Sequence, residues 1–554
     1  MENKVALTEA DVLIMGASLA GNCLARQLRI EQPQLSIVVV DRKTEYDYWV
    51  GESTIEVFYD YCVKTLHLGH YLESNHLAKH GLRFFFDSPE KDLPLVEMSE
   101  LGRGWHLPMP AYQLDRAKFD RDMVEMNREA GIEVRMGVSV DDVEIDREKG
   151  HRVHTSEGIF RCRWLIDAAG YGSPLTRKLG HVTRDEPEHP IGSYWGRYEN
   201  CPDFDELGDD EWRKKVHYTS RFLSTNHFMY KGYWIWVIPV DTKVTSIGVC
   251  FRRDMEPLVL KSGEEMTAFF RRHKALDQVI GGARCLDFFG LKKPQRHADP
   301  VFSTDRWFMA GMAAGFVDAM LSTSCAYIAD TNRLIGKLIE ADLEQDEARF
   351  ASRVKHYNIY AKVWRETVLD SVAGMYSGRY DVQIGYYMPI LFTYFGISLP
   401  DSMCQLHGLT ELADAHAGGC ECSFEQARDS IKGSGTTPRM LCRTAEFLEF
   451  AERHDPGMGG NGGQFIESTP PPEIMGNALY PDQRSEGATG RVQRFAYEFG
   501  IRHYLGCMAE MVGLEVEAGE LEKVVQLACD KDMSLNQAFD QLGGQKEVLS
   551  EKLA

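Results

Sequence analysis

Residues 11–16, DVLIMG, run through four apolar positions and close on a glycine. That pattern predicts a short strand buried on both faces. Residues 18–30 follow with Leu19, Cys23, Leu24, Ala25 and Leu28 at helical spacing, and SIVVVD (36–41) is a second apolar run ending in an acid. Strand, glycine turn, helix and strand within roughly 30 residues predict a βαβ unit.

The apolar spacing of Phe119, Met123, Met126 and Ala130 predicts a helix over 112–131. IEVRMG (132–137), SVDDVEID (139–146) and RCRWLIDAAG (161–170) read as strands. Between about 186 and 300 lie several more strand-like runs, among them GYWIWVIPV (232–240) and TSIGVCF (245–251). They predict a mostly antiparallel sheet inserted into the nucleotide-binding core. RWFMAGMAAGFVDAM (306–320) returns to strand, glycine turn and helix. The expected division is a core over 1–335 carrying that insertion, then a mostly helical region over 336–554. A Gly/Pro-rich loop over 455–488 interrupts the helical region, and an acidic helical stretch over 489–550 follows. No internal repeat is present.

Composition narrows the function classes. The chain has 554 residues, 44% hydrophobic and 26% charged, as an ordinary globular protein does. Its net charge of −21 repels phosphate backbones, so nucleic acid is not an expected partner. Thirteen cysteines in this length are not a disulfide scaffold. With no targeting segment and no membrane-length apolar run, the expectation is a cytoplasmic protein with reduced thiols and no membrane span. Cys420 and Cys422, with His407 and His416 nearby, lack zinc-ribbon spacing, so no metal site is expected.

Gly16-Ala17-Ser18-Leu19-Ala20-Gly21 stands where the glycine loop of a dinucleotide site belongs, with serine for the middle glycine. The following helix turns free N–H groups toward a pyrophosphate, and the Ser18 hydroxyl is placed to donate to it as well. Asp41, followed by Arg42, lies at the end of the second strand, where a carboxylate accepts from the ribose hydroxyls. The loop alone does not choose between FAD and NAD. No second complete glycine fingerprint is present for a nicotinamide cofactor.

More specific motifs follow. Gly51-Glu52-Ser53 comes about ten residues after the second strand, and Lys79 lies in HLAKHGLRFFF. Trp234-Ile-Trp236-Val-Ile-Pro239 is a W-x-W-x-I-P motif. Gly311-Met-Ala-Ala-Gly315-Phe-Val-Asp318 precedes Ser322-Thr323-Ser324. With LIDAAGYGSPLTRKLG (165–180), these motifs resemble the flavin-dependent halogenases of the tryptophan and phenol type, over roughly residues 10–335.

The resemblance implies an α/β fold: an FAD-binding Rossmann-like domain, an inserted mostly antiparallel sheet, and a C-terminal helical region roofing the substrate pocket. It implies an enzyme that uses FADH2, O2 and chloride or bromide to form hypohalous acid. A lysine beside the substrate then directs the halogen to an electron-rich aromatic carbon. Lys79 is the implied lysine, and Ser322 the serine linking the lysine side to the flavin side. Thr323 and Ser324 match the halide position. Gly16, Ala17, Ser18, Ala20, Gly21, Asp41, Arg42, Gly51, Glu52, Ser53, Arg116, Gly311 and Gly315 match the flavin side. Trp234, Trp236 and Pro239 match the motif that separates flavin from substrate. From the residues alone, Lys79 also reads as a surface lysine before a strand. Glu52-Ser53 also reads as a helix cap, and Arg116 as an i,i+4 partner of Asp120.

Tryptophan halogenases carry P-L-E-S-T where this chain has Ala319-Met-Leu321-Ser322-Thr323. Loss of that glutamate favours a phenol- or pyrrole-like substrate, whose own heteroatom stabilises the ring cation, over an indole. The substrate is a small aromatic, free or bound to a carrier protein. The implied partners are a separate flavin reductase and, in a homodimer, a second copy of the chain. Two other readings remain: an FAD-dependent monooxygenase or dehydrogenase of the same fold, and a non-catalytic flavin-binding or carrier-interacting protein.

Overall fold

The computed structural model describes residues 7–376, apart from 105, 107–109, 181, 184–188 and 217, together with 409–418 and 465–467. Its first sheet has the strand Leu7–Met15 at its centre, flanked in parallel by Ile37–Asp41 and Gly158–Asp167. Glu133–Met136 and Trp307–Met309 extend the parallel pairing on the two sides. An antiparallel extension, His151–Thr155 with Val140–Glu144, completes the sheet. The central strands are buried on both faces because helices cover them, as the uninterrupted apolar runs require.

Two predicted helices differ from what forms. The first spans Arg116–Glu129, because the Asp115 carboxylate accepts from the Lys118 amide and so starts the helix there. Residues 111–113 are a strand instead, and Val124 and Asn127 are buried where Ala130 had been expected to be. The second, predicted within 306–320, is not continuous. Gly311, Leu321 and Ser322 have φ of 57°, 64° and 56°, so only short 3-10 turns and the strand Gly315–Phe316 form. The long helix begins later, at Thr323–Leu343, and Glu347–Val372 packs beside it.

The second sheet has nine strands and is drawn from three stretches of chain rather than from 186–300 alone. That stretch supplies Ile191–Glu199, Thr225–Tyr230, Tyr233–Pro239 and Val244–Arg252, plus two short edge pieces. Leu82–Phe86 and Ser99–Gly102 join from earlier in the chain, and Phe465–Glu467 from the stretch expected to be loop.

Strand alternation sorts this sheet into two faces. Phe85, Tyr194, Tyr198, Phe228, Tyr233, Ile235, Val237, Ile247, Val249 and Phe251 form an apolar core with the helices Gly263–Phe270 and Lys274–Ile280. The alternate positions, among them Thr225, His227, Trp234, Trp236, Ser246, Trp195 and Arg197, carry polar and indole groups to the other face. That inner face meets the segment Tyr46–Ser53, which leaves the glycine-loop region.

Of Tyr376, Tyr380, Tyr386, Tyr387 and Phe392, an aromatic group that the sequence alone could place either around the substrate pocket or in the core, all but Tyr376 lie outside the described residues, as do the helical stretch expected over 489–550, His407, Cys420 and Cys422. Among the described residues no helix is long and apolar enough to cross a membrane. The seven described cysteines are all free.

Candidate active site

The glycine loop forms at the end of the first strand. Gly16 has φ +113°, and a Cβ there would lie 2.6 Å from the Ala168 carbonyl oxygen. The Ala17 amide donates to Asp41 Oδ2 at 2.8 Å and the Lys43 amide to Oδ1 at 2.9 Å. Asp41 therefore holds the loop in shape, with lone pairs left for a ribose, while Arg42 beside it is exposed. The helix Leu19–Glu31 has no side-chain cap, so its first N–H groups are left for an anion.

The expectation for Ser18 needs correcting. Its hydroxyl donates to Asp120 Oδ2 at 2.7 Å and accepts from Arg116 Nη2 at 2.9 Å, so it is committed to the protein and not to a phosphate. Of the two readings of Arg116, the i,i+4 pairing with Asp120 forms, at 2.9 Å. Arg116 also donates to the Val50 carbonyl at 2.7 Å, tying the 46–53 segment to the loop. Gly311 meets Ala20 from the far side: a Cβ on Gly311 would lie 2.7 Å from that of Ala20. Gly315 pairs in register with His297 and lies near Tyr327 and Trp364. This cradle of close backbone and uncapped N–H groups fits a dinucleotide pyrophosphate. Asp41→Ala is expected to weaken FAD binding about 10- to 100-fold, the value of a charge-assisted hydrogen bond that also shapes the loop. Titration of flavin fluorescence measures it, and an unchanged dissociation constant would move the ribose contact elsewhere.

Gly51 is an exposed residue with φ +93°, and a Cβ there would lie 2.7 Å from Arg116 Nη1. After it the chain turns inward. Glu52 and Ser53 do not cap a helix: Glu56–Asp60 has Ile55 at its cap position and no side-chain cap. Glu52 lies 3.6 Å from Arg197 of the inner face, and Ser53 reaches Lys79.

Lys79 ends the short strand Leu77–Lys79 and is 7% exposed, not a surface lysine. Its Nζ donates to Ser53 Oγ at 2.8 Å and to the Thr54 carbonyl at 2.6 Å. Ser53 Oγ also accepts from Ser322 Oγ at 2.9 Å and lies 2.7 Å from Thr225 Oγ1, which Gln113 Nε2 reaches at 3.1 Å. Burial lowers the Lys79 pKa to about 7 against the opposing pull of Glu56, with Arg103 lowering it further. A neutral amine has two N–H donors and one lone pair. Ser53 and Thr54 take both donors, so the lone pair is left for a reactant.

Ser322 reaches Ser53 because Leu321 and Ser322 both adopt the left-handed conformation, which is costly for residues with a side chain. Asp318 holds this turn. Its Oδ1 accepts from the Met320 amide at 2.9 Å, and its Oδ2 lies 2.7 Å from both His189 Nε2 and Tyr376 Oη. The helix starting at Thr323 has no side-chain cap, and Thr323 Oγ1 is buried without a partner. Thr323 and half-buried Ser324 thus sit at a free helix N-terminus of 21 residues, suited to an anion.

Trp234 and Trp236 lie on the inner face with ring centroids 5.6 Å apart. Trp234 Nε1 donates to Tyr376 Oη at 2.9 Å, joining the indole to the Asp318 network, and Trp236 Nε1 donates to Ser246 at 3.2 Å. Pro239 ends their strand. His227 lies between Phe84 and Trp234, and burial lowers its pKa to about 3, so it stays neutral.

Thr225, Gln113, His227 and Arg197 belong to this region although the sequence motifs did not include them; Asp318, which closes the Gly311–Asp318 motif, and Tyr376 join them. Strand parity relative to Trp234 and Trp236 would have found Thr225 and His227, had the pairing been known. Among the described residues no group of His, Cys, Asp or Glu is arranged to hold a metal, and His416 lies against His356.

No family model matches the chain. It is 28% identical over 385 residues to the flavin-dependent halogenase chlA of Dictyostelium discoideum, covering 63% of each chain. It is 27% identical over 376 residues to the tetracycline 7-halogenase of Kitasatospora aureofaciens, covering 62% of this chain and 66% of that one. It therefore spans a little under two thirds of the length of these curated relatives. The crystal structure of the halogenase PltM with phloroglucinol and FAD has the same fold: TM-score 0.66, 16% identity, 90% of this chain and 96% of that one. On these comparisons the chain is similar in sequence to flavin-dependent halogenases and shares the fold of a solved one.

Proposed function

We propose that the protein is an FAD-dependent halogenase that transfers chlorine or bromine to an electron-rich aromatic carbon. The observation that carries this reading is the buried Lys79, joined through Ser53 to Ser322 beside an uncapped helix N-terminus, where burial lowers its pKa to about 7 and makes the neutral amine accessible. FAD, arriving reduced from a separate flavin reductase, supplies the electrons that activate O2 for halide oxidation. The residues fit it: the glycine loop with Gly16, Ala17, Ala20 and Gly21 would hold its pyrophosphate, and Asp41 its ribose.

The chain's own groups have distinct tasks. Thr323 and Ser324 offer backbone N–H donors to the halide. Trp234 and Trp236 screen the aromatic substrate from the flavin side. The Lys79 lone pair takes the halogen from hypohalous acid as the O–halogen bond breaks, the hydroxide leaving as water with one amine proton; the aromatic carbon then takes the halogen and its ring proton restores the amine, while Ser53 and Thr54 fix the direction of the nitrogen. Only the neutral amine can do this, which is why burial matters. Leu321 puts no carboxylate next to Ser322, so the substrate supplies its own stabilisation as a phenol or pyrrole does. Curated relatives include a chlorinase and a brominase named for pyrrole-2-carbonyl groups on a peptidyl-carrier protein. A carrier-bound aromatic is accordingly one form of the substrate, and a free phenol the other. The expected setting is the cytoplasm, as a monomer or homodimer.

The test is anaerobic reduction of the FAD-loaded protein, mixing with O2 and bromide, and trapping with monochlorodimedone or a panel of phenols, pyrroles and indoles. Brominated product is expected, with phenols ahead of indoles. Peroxide or hydroxylated product, formed equally with and without bromide, would overturn halogenation in favour of an oxygenase or dehydrogenase.

A further inference from the structure

Arg197 is fully buried on the inner face of the second sheet, and its Nε, Nη1 and Nη2 all lack a hydrogen-bond partner. Glu52 is 3.6 Å away, too far for a hydrogen bond, and its Oε1 is unpartnered as well. The Trp195 indole N–H, two residues earlier on the same face, is also buried and unpartnered. The Glu52 carboxylate offsets the charge of Arg197 as an ion pair, but buried N–H groups left without an acceptor remain costly. Polar groups so placed mark a site for something that accepts hydrogen bonds.

The location says what that is. The segment Tyr46–Ser53 starts at the glycine loop, where the Tyr46 hydroxyl donates to the Ala17 carbonyl and Arg116 bridges Ser18 to Val50. It ends at Lys79. Ser53 contacts Thr225, while Glu52 reaches Arg197 three strands away across the sheet order, about 14 Å at the usual strand spacing. Arg197, with Tyr48 5.4 Å from its guanidinium, thus faces the middle of the path from pyrophosphate to lysine. A dinucleotide anchored on the loop and extended toward Lys79 brings its ring system past this point. The pyrimidine edge of a flavin ring carries carbonyl acceptors, and in reduced flavin at neutral pH it also carries negative charge.

We infer that Arg197, with the Trp195 N–H, receives the pyrimidine edge of the flavin, so that the site prefers the reduced, anionic form. Glu52 opposes that charge and sets the degree of preference. This rests on the flavin reading of the site and adds to it the redox form that the chain selects. Selective capture of reduced FAD is what a protein that depends on a separate reductase requires.

The test titrates the full chain anaerobically with oxidised and with dithionite-reduced FAD, by flavin fluorescence and absorbance. Wild type is compared with Arg197→Met, Arg197→Lys and Glu52→Gln, and near-UV circular dichroism checks each fold. Arg197→Met is expected to lose at least tenfold more affinity for reduced than for oxidised FAD. Tenfold corresponds to a fall of about 30 mV in the two-electron potential of the bound flavin. Arg197→Lys should keep most of the preference, and Glu52→Gln should increase it. A folded Arg197→Met with an unchanged ratio of the two affinities would reduce Arg197 to an internal partner of Glu52. If Arg197→Met does not fold, Glu52→Gln decides: a shift toward reduced FAD supports the inference and an unchanged ratio overturns it. Wild type that binds neither form would instead remove the flavin reading, and this inference with it.

Discussion

Lys79→Ala is expected to leave FAD affinity within about twofold while lowering halogen transfer by roughly 10³-fold or more, the upper range for a single positioned proton-transfer or nucleophilic group. The reason is geometric. Lys79 touches Ser53 and Thr54 but nothing in the glycine loop, which Asp41, Arg116 and Asp120 hold separately. Product formation with saturating reduced FAD and bromide measures the loss, with free hypohalous acid scavenged so that only directed transfer counts. Full product yield in the variant would remove Lys79 from the reaction.

The same residue sets two pH dependences. Transfer per turnover should rise from pH 6 to pH 8, because the neutral amine becomes the main form as pH passes about 7. A flat profile over that range would contradict a neutral-lysine step. Stability gives a second check. Burial lowers the Lys79 pKa from 10.5 to about 7, so between those values the unfolded chain holds a proton that the folded protein does not. Unfolding free energy from this group therefore rises with pH across that window, by about 1.4 kcal/mol per unit, and is flat below and above it. Lys79→Met should remove that slope. Denaturant titrations at pH 7.5 and 9 are enough to see it, the difference between wild type and variant shrinking as pH rises.

Gly21→Ala carries the second large effect. A Cβ on Gly21 would lie 1.9 Å from the Gly16 carbonyl oxygen and 3.3 Å from the Ala168 side chain. Gly16 cannot yield, because it is itself pressed against the Ala168 backbone at a positive φ. The helix Leu19–Glu31 would have to move off the first strand, opening the loop whose N–H groups are proposed to hold the pyrophosphate. The expected cost is about 3 kcal/mol, as for overpacking against rigid backbone, together with loss of FAD retention. Gly172→Ala is the matched control, since nothing lies within 4 Å of the added methyl. It should stay within about 0.5 kcal/mol of wild type. Equal melting temperatures for Gly21→Ala and wild type would mean that the helix–strand contact is looser than these distances require.

The fold's first half was legible because its signals are local. DVLIMG, the glycine loop and SIVVVD are adjacent in the chain, and their periodicity names strand, turn and helix without any distant partner. Gly16, Gly21 and Asp41 came out where the motif predicts for the same reason. The second sheet was only half legible. The runs at 232–240 and 245–251 read as strands, but the sheet continues through Thr225–Tyr230 to Leu82–Phe86, more than a hundred residues earlier in the chain, with Ser99–Gly102 beside it. No local pattern records such a pairing. Ser18 shows the limit at a single residue: its position in the loop was readable, but its hydroxyl went to Asp120 and Arg116, which lie a hundred residues on.

By itself, then, the sequence determined that a strand, a glycine turn and a helix open the chain, because spacing along one strand or helix is written in the order of residues. Tertiary structure alone decided that Lys79 is buried with its pKa lowered to about 7, that Ser53 joins it to Ser322, and that Arg197 lies 3.6 Å from Glu52 with its guanidinium N–H groups lacking hydrogen-bond partners. Those properties depend on desolvation and on contacts between segments far apart in the chain, and both come into being only when the two sheets and the segment between them pack together.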